Sequence, residues 1–134
     1  MSQISLIKKF QFSSSHRMFN GDFSKEENDQ NFGKCQNIHG HNYFLEVHIS
    51  GSVDHGKGYF VNLSEFSYDV YRLIIDVIDH QYINDVLPNC KNKPVTMEVI
   101  ATWIWESLTS NLTRYDFVKI RLWETSDNSV EIYK

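Results

Sequence analysis

From His39 to about Ser50 the chain alternates without a break: His41, Tyr43, Leu45, Val47 and Ile49 on one side, Asn42, Phe44, Glu46 and His48 on the other. Side chains of an extended strand point to opposite faces in turn, so this period of two commits the segment to a half-buried β-strand. The same pattern governs Ile4 to His16, where Ile4, Leu6, Phe10, Phe12, Ser14 and His16 share a face and Lys8 is the exception. Two such strands need a covering layer on one side only. They also carry their histidines at their ends and on the apolar side: His16 closes the first strand, and His39 and His41 open the second.

Helical periods supply the cover. Asn62, followed by Glu65, marks a helix start, and Phe66, Val70, Leu73, Ile74 and Val77 form an apolar stripe over 63–77. Thr96 caps a second helix over 97–112, with Ile100, Ile104 and Leu108 on one face. Gly51 to Gly58 predicts a hairpin turn into a short strand over 59–61. Residues 117–124 predict a further strand with Val118, Ile120, Leu122 and Glu124 on one side, and 130–133 a last one after the turn at 126–128. The polar stretches 19–35 and 84–93 predict loops. The order β-β-β-α-α-β-β predicts an α+β fold in which two helices cover one face of an antiparallel sheet. The 134 residues suit one domain, residues 1–134.

At 41% hydrophobic and 22% charged the composition is that of an ordinary globular protein. A net charge of −4, with no basic run longer than Lys8-Lys9, disfavours nucleic-acid or membrane-surface partners and leaves room for a small anionic substrate. The first nine residues carry no long apolar core. With two cysteines in no disulfide framework, this predicts a cytoplasmic protein with free thiols.

Three imidazoles at strand ends are the ligand count of a catalytic zinc site that keeps a position open for water or substrate. Copper, nickel and iron also accept imidazole, but zinc suits the set best. The bland alternative is that His39 and His41 punctuate a turn; His16 on the matching face argues against it. Cys35 lies in a polar loop four residues before His39, a poor place for packing. A thiolate is the basic and nucleophilic form of cysteine, and a nearby cation favours it. Cys90 has no such neighbours and reads as structural or incidental. Asp79-His80, just past a helix end, is either a helix terminus with a favourably placed imidazole or a carboxylate holding an imidazole in one tautomer for proton transfer. Glu124 is the only acid on an apolar strand face, so it either binds an amide-like or guanidine-like ring edge or marks an exposed strand end.

Several separated segments together carry a family resemblance. They are Phe12-Ser-Ser-Ser-His16-Arg17, Cys35-Gln-Asn-Ile-His39-Gly-His41-Asn-Tyr43, Gly51-Ser-Val-Asp54, Val61-Asn62-Leu63, Ile78-Asp79-His80-Gln-Tyr-Ile-Asn84, Thr96-Met-Glu98, Trp103-Ile-Trp105 and Trp123-Glu124-Thr125. In this order they resemble the 6-pyruvoyl-tetrahydropterin and 6-carboxy-tetrahydropterin synthases. The resemblance implies a tunnelling fold (T-fold) that oligomerises into a β-barrel, as a hexamer of two trimers with active sites between subunits. It implies zinc on His16, His39 and His41, Cys35 as catalytic thiol, Asp79 and His80 as proton-relay partners and Glu124 as anchor of the pterin ring. Thr96 and Glu98 match a segment near the pterin pocket. The implied substrate is 7,8-dihydroneopterin triphosphate, and Arg17, beside His16, is the residue expected to grip its triphosphate.

The three residues between Cys35 and His39 match the 6-carboxy enzymes of queuosine synthesis. The expected products are therefore 6-carboxy-tetrahydropterin, acetaldehyde and triphosphate. Glu26-Glu27-Asn28 and Phe32-Gly33-Lys34-Cys35 look instead like the pyruvoyl branch, which eliminates triphosphate; that branch is the alternative. A non-catalytic pterin- or purine-binding T-fold protein is a third possibility, opposed by intact Cys35, Asp79 and His80.

Overall fold

Both N-terminal strands form with the alternation the sequence dictates. In the computed structural model, which describes residues 3–134, β1 (Ile4–His16) pairs antiparallel with β2 (His39–Gly51) in a register that sets Phe10 opposite Leu45, Phe12 opposite Tyr43, Ser14 opposite His41 and His16 opposite His39. Met1 and Ser2, the start of the segment read for a leader, lie outside the described residues. β3 (Asp116–Trp123) and β4 (Ser129–Tyr133) complete an antiparallel sheet of order β1-β2-β3-β4. The rest is α1 (Lys25–Phe32), the helical stretch α2 (residues 63–78), a one-turn α3 (Ile83–Val86) and α4 (Met97–Asn111). The architecture is α+β, and no helix among the described residues is long and apolar enough to cross a membrane.

The core lies between one sheet face and the two long helices. Phe10, Phe12, Tyr43, Leu45, Val47, Ile49, Phe117, Ile120 and Leu122 meet Phe66, Val70, Ile74, Ile78, Ile100, Ile104 and Leu108, all buried. Each such side chain contributes about 1.5–3 kcal/mol over its exposed state. A one-residue slip of β1 on β2 would turn that whole set to the wrong face, so the paired strand ends are fixed with it.

The structure corrects several boundaries. No third strand forms at 59–61. Asp54 instead organises a turn, its carboxylate accepting from the backbone N–H groups of Gly56 at 2.8 Å and Lys57 at 3.1 Å. Phe60 and Val61 then pack on the core unpaired. The stretch expected to be a loop over 19–35 contains α1, begun by a capping box in which Ser24 accepts from Glu27 N–H and Glu27 accepts from Ser24 N–H. Asn28 is that helix's only buried residue, so it has no apolar stripe to reveal it. A 3₁₀ turn, Gly33–Gln36, follows.

In α2 the buried face is Phe66, Val70, Ile74, Ile75 and Ile78, whereas Val77, expected inside, is 38% exposed. A strict spacing of four drifts by about 40° per step on an α-helix. The π-helical turn Tyr71–Ile75, wider than an α-turn, absorbs part of that drift and keeps Ile78 facing inward. In β3, Val118 is also exposed and Phe117 is buried in its place. Opposite His48 and Ile49 the register jumps from Lys119 to Phe117, a β-bulge that takes Val118 out of the ladder and reverses the facing before it.

Candidate active site

His16, His39 and His41 converge on the apolar face where β1 and β2 end. One ring nitrogen from each lies within 4.8 Å of those of the other two. His16 is fully buried and the other two half-buried. His16 Nδ1–H donates to the Val95 carbonyl at 2.6 Å, and His39 Nδ1–H to the Asn37 carbonyl at 2.6 Å. Both rings thereby hold the tautomer whose Nε2 lone pair is free. Burial pushes the His16 imidazole down to about 4; the Val95 carbonyl opposes this and the His39 and His41 charges add to it, so the ring is neutral near pH 7.

Glu124 closes the cluster. It lies one residue beyond β3, its backbone N–H donating to the Asn128 carbonyl at 3.1 Å, and its two oxygens stand 3.8 Å from His16 Nε2 and His41 Nε2. His16 Nε2, His41 Nε2, Glu124 Oε2 and Tyr43 Oη are all buried without a hydrogen-bond partner. Orphaned polar atoms of this kind are costly. Imidazole lone pairs facing one another across a carboxylate are relieved by a cation, and three imidazoles with an open side fit zinc. The Tyr43 hydroxyl, raised by burial and by the Glu124 charge, stays protonated and is a donor in reserve.

Asp79 and His80 follow directly on α2 and dock on the edge of β1. Ser13 N–H donates to Asp79 Oδ1 at 2.9 Å, His80 N–H donates to the Ser13 carbonyl at 2.6 Å, and Ser14 Oγ–H donates to the Ile78 carbonyl. His80 Nδ1 is 2.9 Å from Asp79 Oδ1, and the ring is 81% exposed. The Asp79 carboxyl is held below its ordinary range by the Ser13 N–H first and His80 second, with burial opposing. His80 takes φ 60°, a left-handed conformation that a non-glycine residue adopts only when its surroundings impose it. Its imidazole opens on a cavity shared with Ser13, Ser15, His41, Asn42 and Tyr82.

Cys35 sits in the 3₁₀ turn, half-buried, its carbonyl accepting from Met18 N–H at 2.8 Å just beyond β1. Among the described residues no hydrogen bond or ion pair joins it to Asp79, His80 or the three imidazoles. Thr96 caps α4, its hydroxyl accepting from Val99 N–H at 3.2 Å. Glu98 lines a separate groove with Cys90 and Trp103. Cys90 itself packs against the core, and burial pushes its thiol up.

Sequence reasoning gave Asn84 no role, yet it is 97% buried by accessible surface and clamps the segment after His16. Its Oδ1 accepts from Arg17 N–H at 3.0 Å, and its Nδ2–H groups donate to the carbonyls of Arg17 at 3.0 Å and Lys93 at 3.3 Å. Its only signal is an amide directly after Ile83, where a polar residue meets a buried one.

Residues 5–134 match a family model described as 6-pyruvoyl tetrahydropterin synthase. The 6-pyruvoyl tetrahydrobiopterin synthase of Dictyostelium discoideum is 36% identical over 125 residues, 93% of this chain and 92% of that protein. The human protein of the same name is 33% identical over 134 residues, 98% of this chain and 92% of that one. The structure of 6-pyruvoyl tetrahydropterin synthase from Caenorhabditis elegans superposes with a TM-score of 0.88 at 29% identity, covering 100% of this chain and 97% of that chain. The sheet and its two covering helices are those of the T-fold.

Proposed function

The chain belongs to the 6-pyruvoyl tetrahydropterin synthase family, and on that premise we propose that it converts 7,8-dihydroneopterin triphosphate to 6-pyruvoyl-tetrahydropterin with release of triphosphate. The observation that carries this is the convergence of three imidazoles, two with Nε2 left free, on a buried carboxylate at the paired ends of β1 and β2. The product expected from the Cys35–His39 spacing alone was the 6-carboxy compound. Relatives that cover the chain almost end to end carry the pyruvoyl name and favour that branch. Spacing weighs less here because the turn bearing Cys35 is tied to Met18, so its place is set from β1 as well as from the link to His39.

His16, His39 and His41 hold zinc in this proposal, and bound zinc supplies Lewis acidity toward the hydroxyl oxygens of the substrate side chain. Cys35 Sγ takes the proton from the side-chain carbon next to the pterin ring, and loss of triphosphate follows. His80, its Nδ1–H directed at Asp79, exchanges the second proton through Nε2. Glu124 accepts N–H groups of the pterin edge; Glu98, on the separate groove with Cys90 and Trp103, and Thr96, at the head of α4, are assigned to the pterin site by the resemblance alone. Cys35 and the Asp79–His80 pair lie on separate elements without contact in one subunit. A site assembled between subunits of a hexamer, as the resemblance implies, brings them to one substrate.

The test is Cys35→Ala in zinc-loaded protein. Triphosphate release should fall by about two to four orders of magnitude, the range for loss of a general base, with zinc content unchanged. Unchanged turnover contradicts the role of the thiol.

A further inference from the structure

Between α2 and α3 the chain makes one sharp turn, and β1 holds that turn residue by residue. Asp79 at φ −65°, ψ 130° and His80 at φ 60° are the central residues of a type II turn, closed by Gln81 N–H donating to the Ile78 carbonyl at 3.3 Å. The second central position suits glycine, so His80 occupies it only because other bonds fix the turn. Most of these are backbone bonds: His80 N–H donates to the Ser13 carbonyl at 2.6 Å and Ser15 N–H to the Gln81 carbonyl at 3.0 Å. They survive substitution of the side chains on β1. The Ser15 hydroxyl reaches the Gln81 carbonyl only at 3.5 Å, and Ser13 Oγ–H donates elsewhere, to Asn42 Oδ1 at 2.6 Å. Ser14 is different. It lies on the apolar face of β1 between Phe12 and His16, 7% exposed, where a hydroxyl needs a partner. Its Oγ–H donates to the Ile78 carbonyl, the acceptor that also closes the turn, and this is its one hydrogen bond among the described residues. A carbonyl at the end of a helix has no partner within the helix, so the two buried groups satisfy each other.

We propose that Ser14 is a positioning residue for His80: its hydroxyl, through the Ile78 carbonyl, fixes the turn that presents the imidazole to its cavity. The lever is short, because the Ile78 carbonyl belongs to the peptide group that leads into Asp79, and any swing of it moves both the Asp79 carboxylate and the ring that it holds. Packing does not fix that ring, which is 81% exposed, so its place comes from the backbone beneath it. Without the Ser14 hydroxyl the closing bond left on the Ile78 carbonyl is the one at 3.3 Å, and the left-handed residue loses the contact that opposes its relaxation. The ion pair of Asp79 and His80 persists, but its position over the cavity is no longer single. Misplacement of a group that exchanges a proton lowers the rate of the chemical step and leaves substrate binding nearly as it was. The effect on rate rests on the proposed relay role of His80; the pinning of the turn does not.

The test compares wild type, Ser14→Ala and Ser14→Thr as zinc-loaded oligomers, with zinc measured in each. Kinetics with 7,8-dihydroneopterin triphosphate run beside hydrogen exchange of residues 78–82, read by mass spectrometry. Ser14→Ala should lower kcat by about tenfold or more while KM stays within about twofold. Exchange over 78–82 should quicken by about tenfold, the loss of one buried hydrogen bond, with exchange over 43–49 and zinc content unchanged. Threonine keeps the hydroxyl and suits a strand, so Ser14→Thr should return kcat to within about threefold of wild type. An unchanged kcat in Ser14→Ala overturns the inference and leaves the activity standing, whether or not stability falls. A kcat that folded Ser14→Thr fails to restore overturns the role of the hydroxyl. Quickened exchange over 78–82 in Ser14→Ala, with no turnover in wild type, upholds the pinned turn and removes the proposed activity. Where Ser14→Ala fails to fold, wild type still reports: exchange over 78–82 should be slower than over the exposed turn 54–58, and equal rates overturn the pin.

Discussion

At His16 the cost of desolvation decides the chemistry. An imidazolium at that depth would need a partner, and its neighbours are two more imidazoles and a carboxylate 3.8 Å away. The ring therefore stays neutral, and its pKa falls from 6.5 to about 4. The consequence for stability has a definite sign. The unfolded chain binds a proton on His16 near pH 6.5 and the folded chain only near 4, so the stabilisation is complete above the first value and is lost as pH falls through the second. Metal-free protein should lose roughly 2 kcal/mol of unfolding free energy from His16 between about pH 7.5 and about pH 5. Urea denaturation at both values, set against His16→Gln, measures it. An equal loss in the variant would show that other groups carry the effect. This residue was legible in the sequence because the period of two alone puts it on the apolar face. Arg17 and Asn84 were not legible in the same way, because the Asn84 amide holds the backbone of Arg17 from 67 positions away.

Elements differ in how plainly the sequence declares them. β1 and β2 could be read to within a residue, since apolar and polar side chains alternate along most of their length, with Ile7, Lys8 and Phe44 the departures. α1 could not, because it buries only Asn28, though the Ser24–Glu27 capping box was a local sign of it. Val77 and Val118 were assigned to the wrong face for a shared reason: a π-turn in α2 and a bulge in β3 each change the period partway along, and no regular template anticipates that. The site depends on how these elements are fastened together, and Asn84 is the main fastening between α3 and the end of β1. Asn84→Ala removes three hydrogen bonds and leaves Arg17 N–H without its partner, which should destabilise the fold by about 2–3 kcal/mol. Because His16 adjoins the clamp, zinc affinity should also fall, by about tenfold or more. Chemical denaturation and a chelator competition read the two effects; an unchanged midpoint with unchanged zinc affinity would contradict the clamp.

As a whole, the molecule covers one face of its sheet and leaves the other to be covered. Ile7, 56% exposed, and the half-buried Phe44 and Trp123 lie on the face away from the helices. Beyond the contact with residues 79–82, β1 presents an unpaired edge, as does the far side of β4. Open edges beside an apolar patch favour association of copies of one chain. Sedimentation should therefore show a particle several times the 15.8 kDa chain, and a fully active monomer would contradict an active site shared between subunits. The measurement that tests the central claim most directly is mass spectrometry of the products formed by zinc-loaded protein from 7,8-dihydroneopterin triphosphate. The account predicts 6-pyruvoyl-tetrahydropterin and triphosphate without acetaldehyde. Formation of 6-carboxy-tetrahydropterin with acetaldehyde would restore the branch first expected from the Cys35–His39 spacing, and recovery of unreacted substrate would contradict the activity itself.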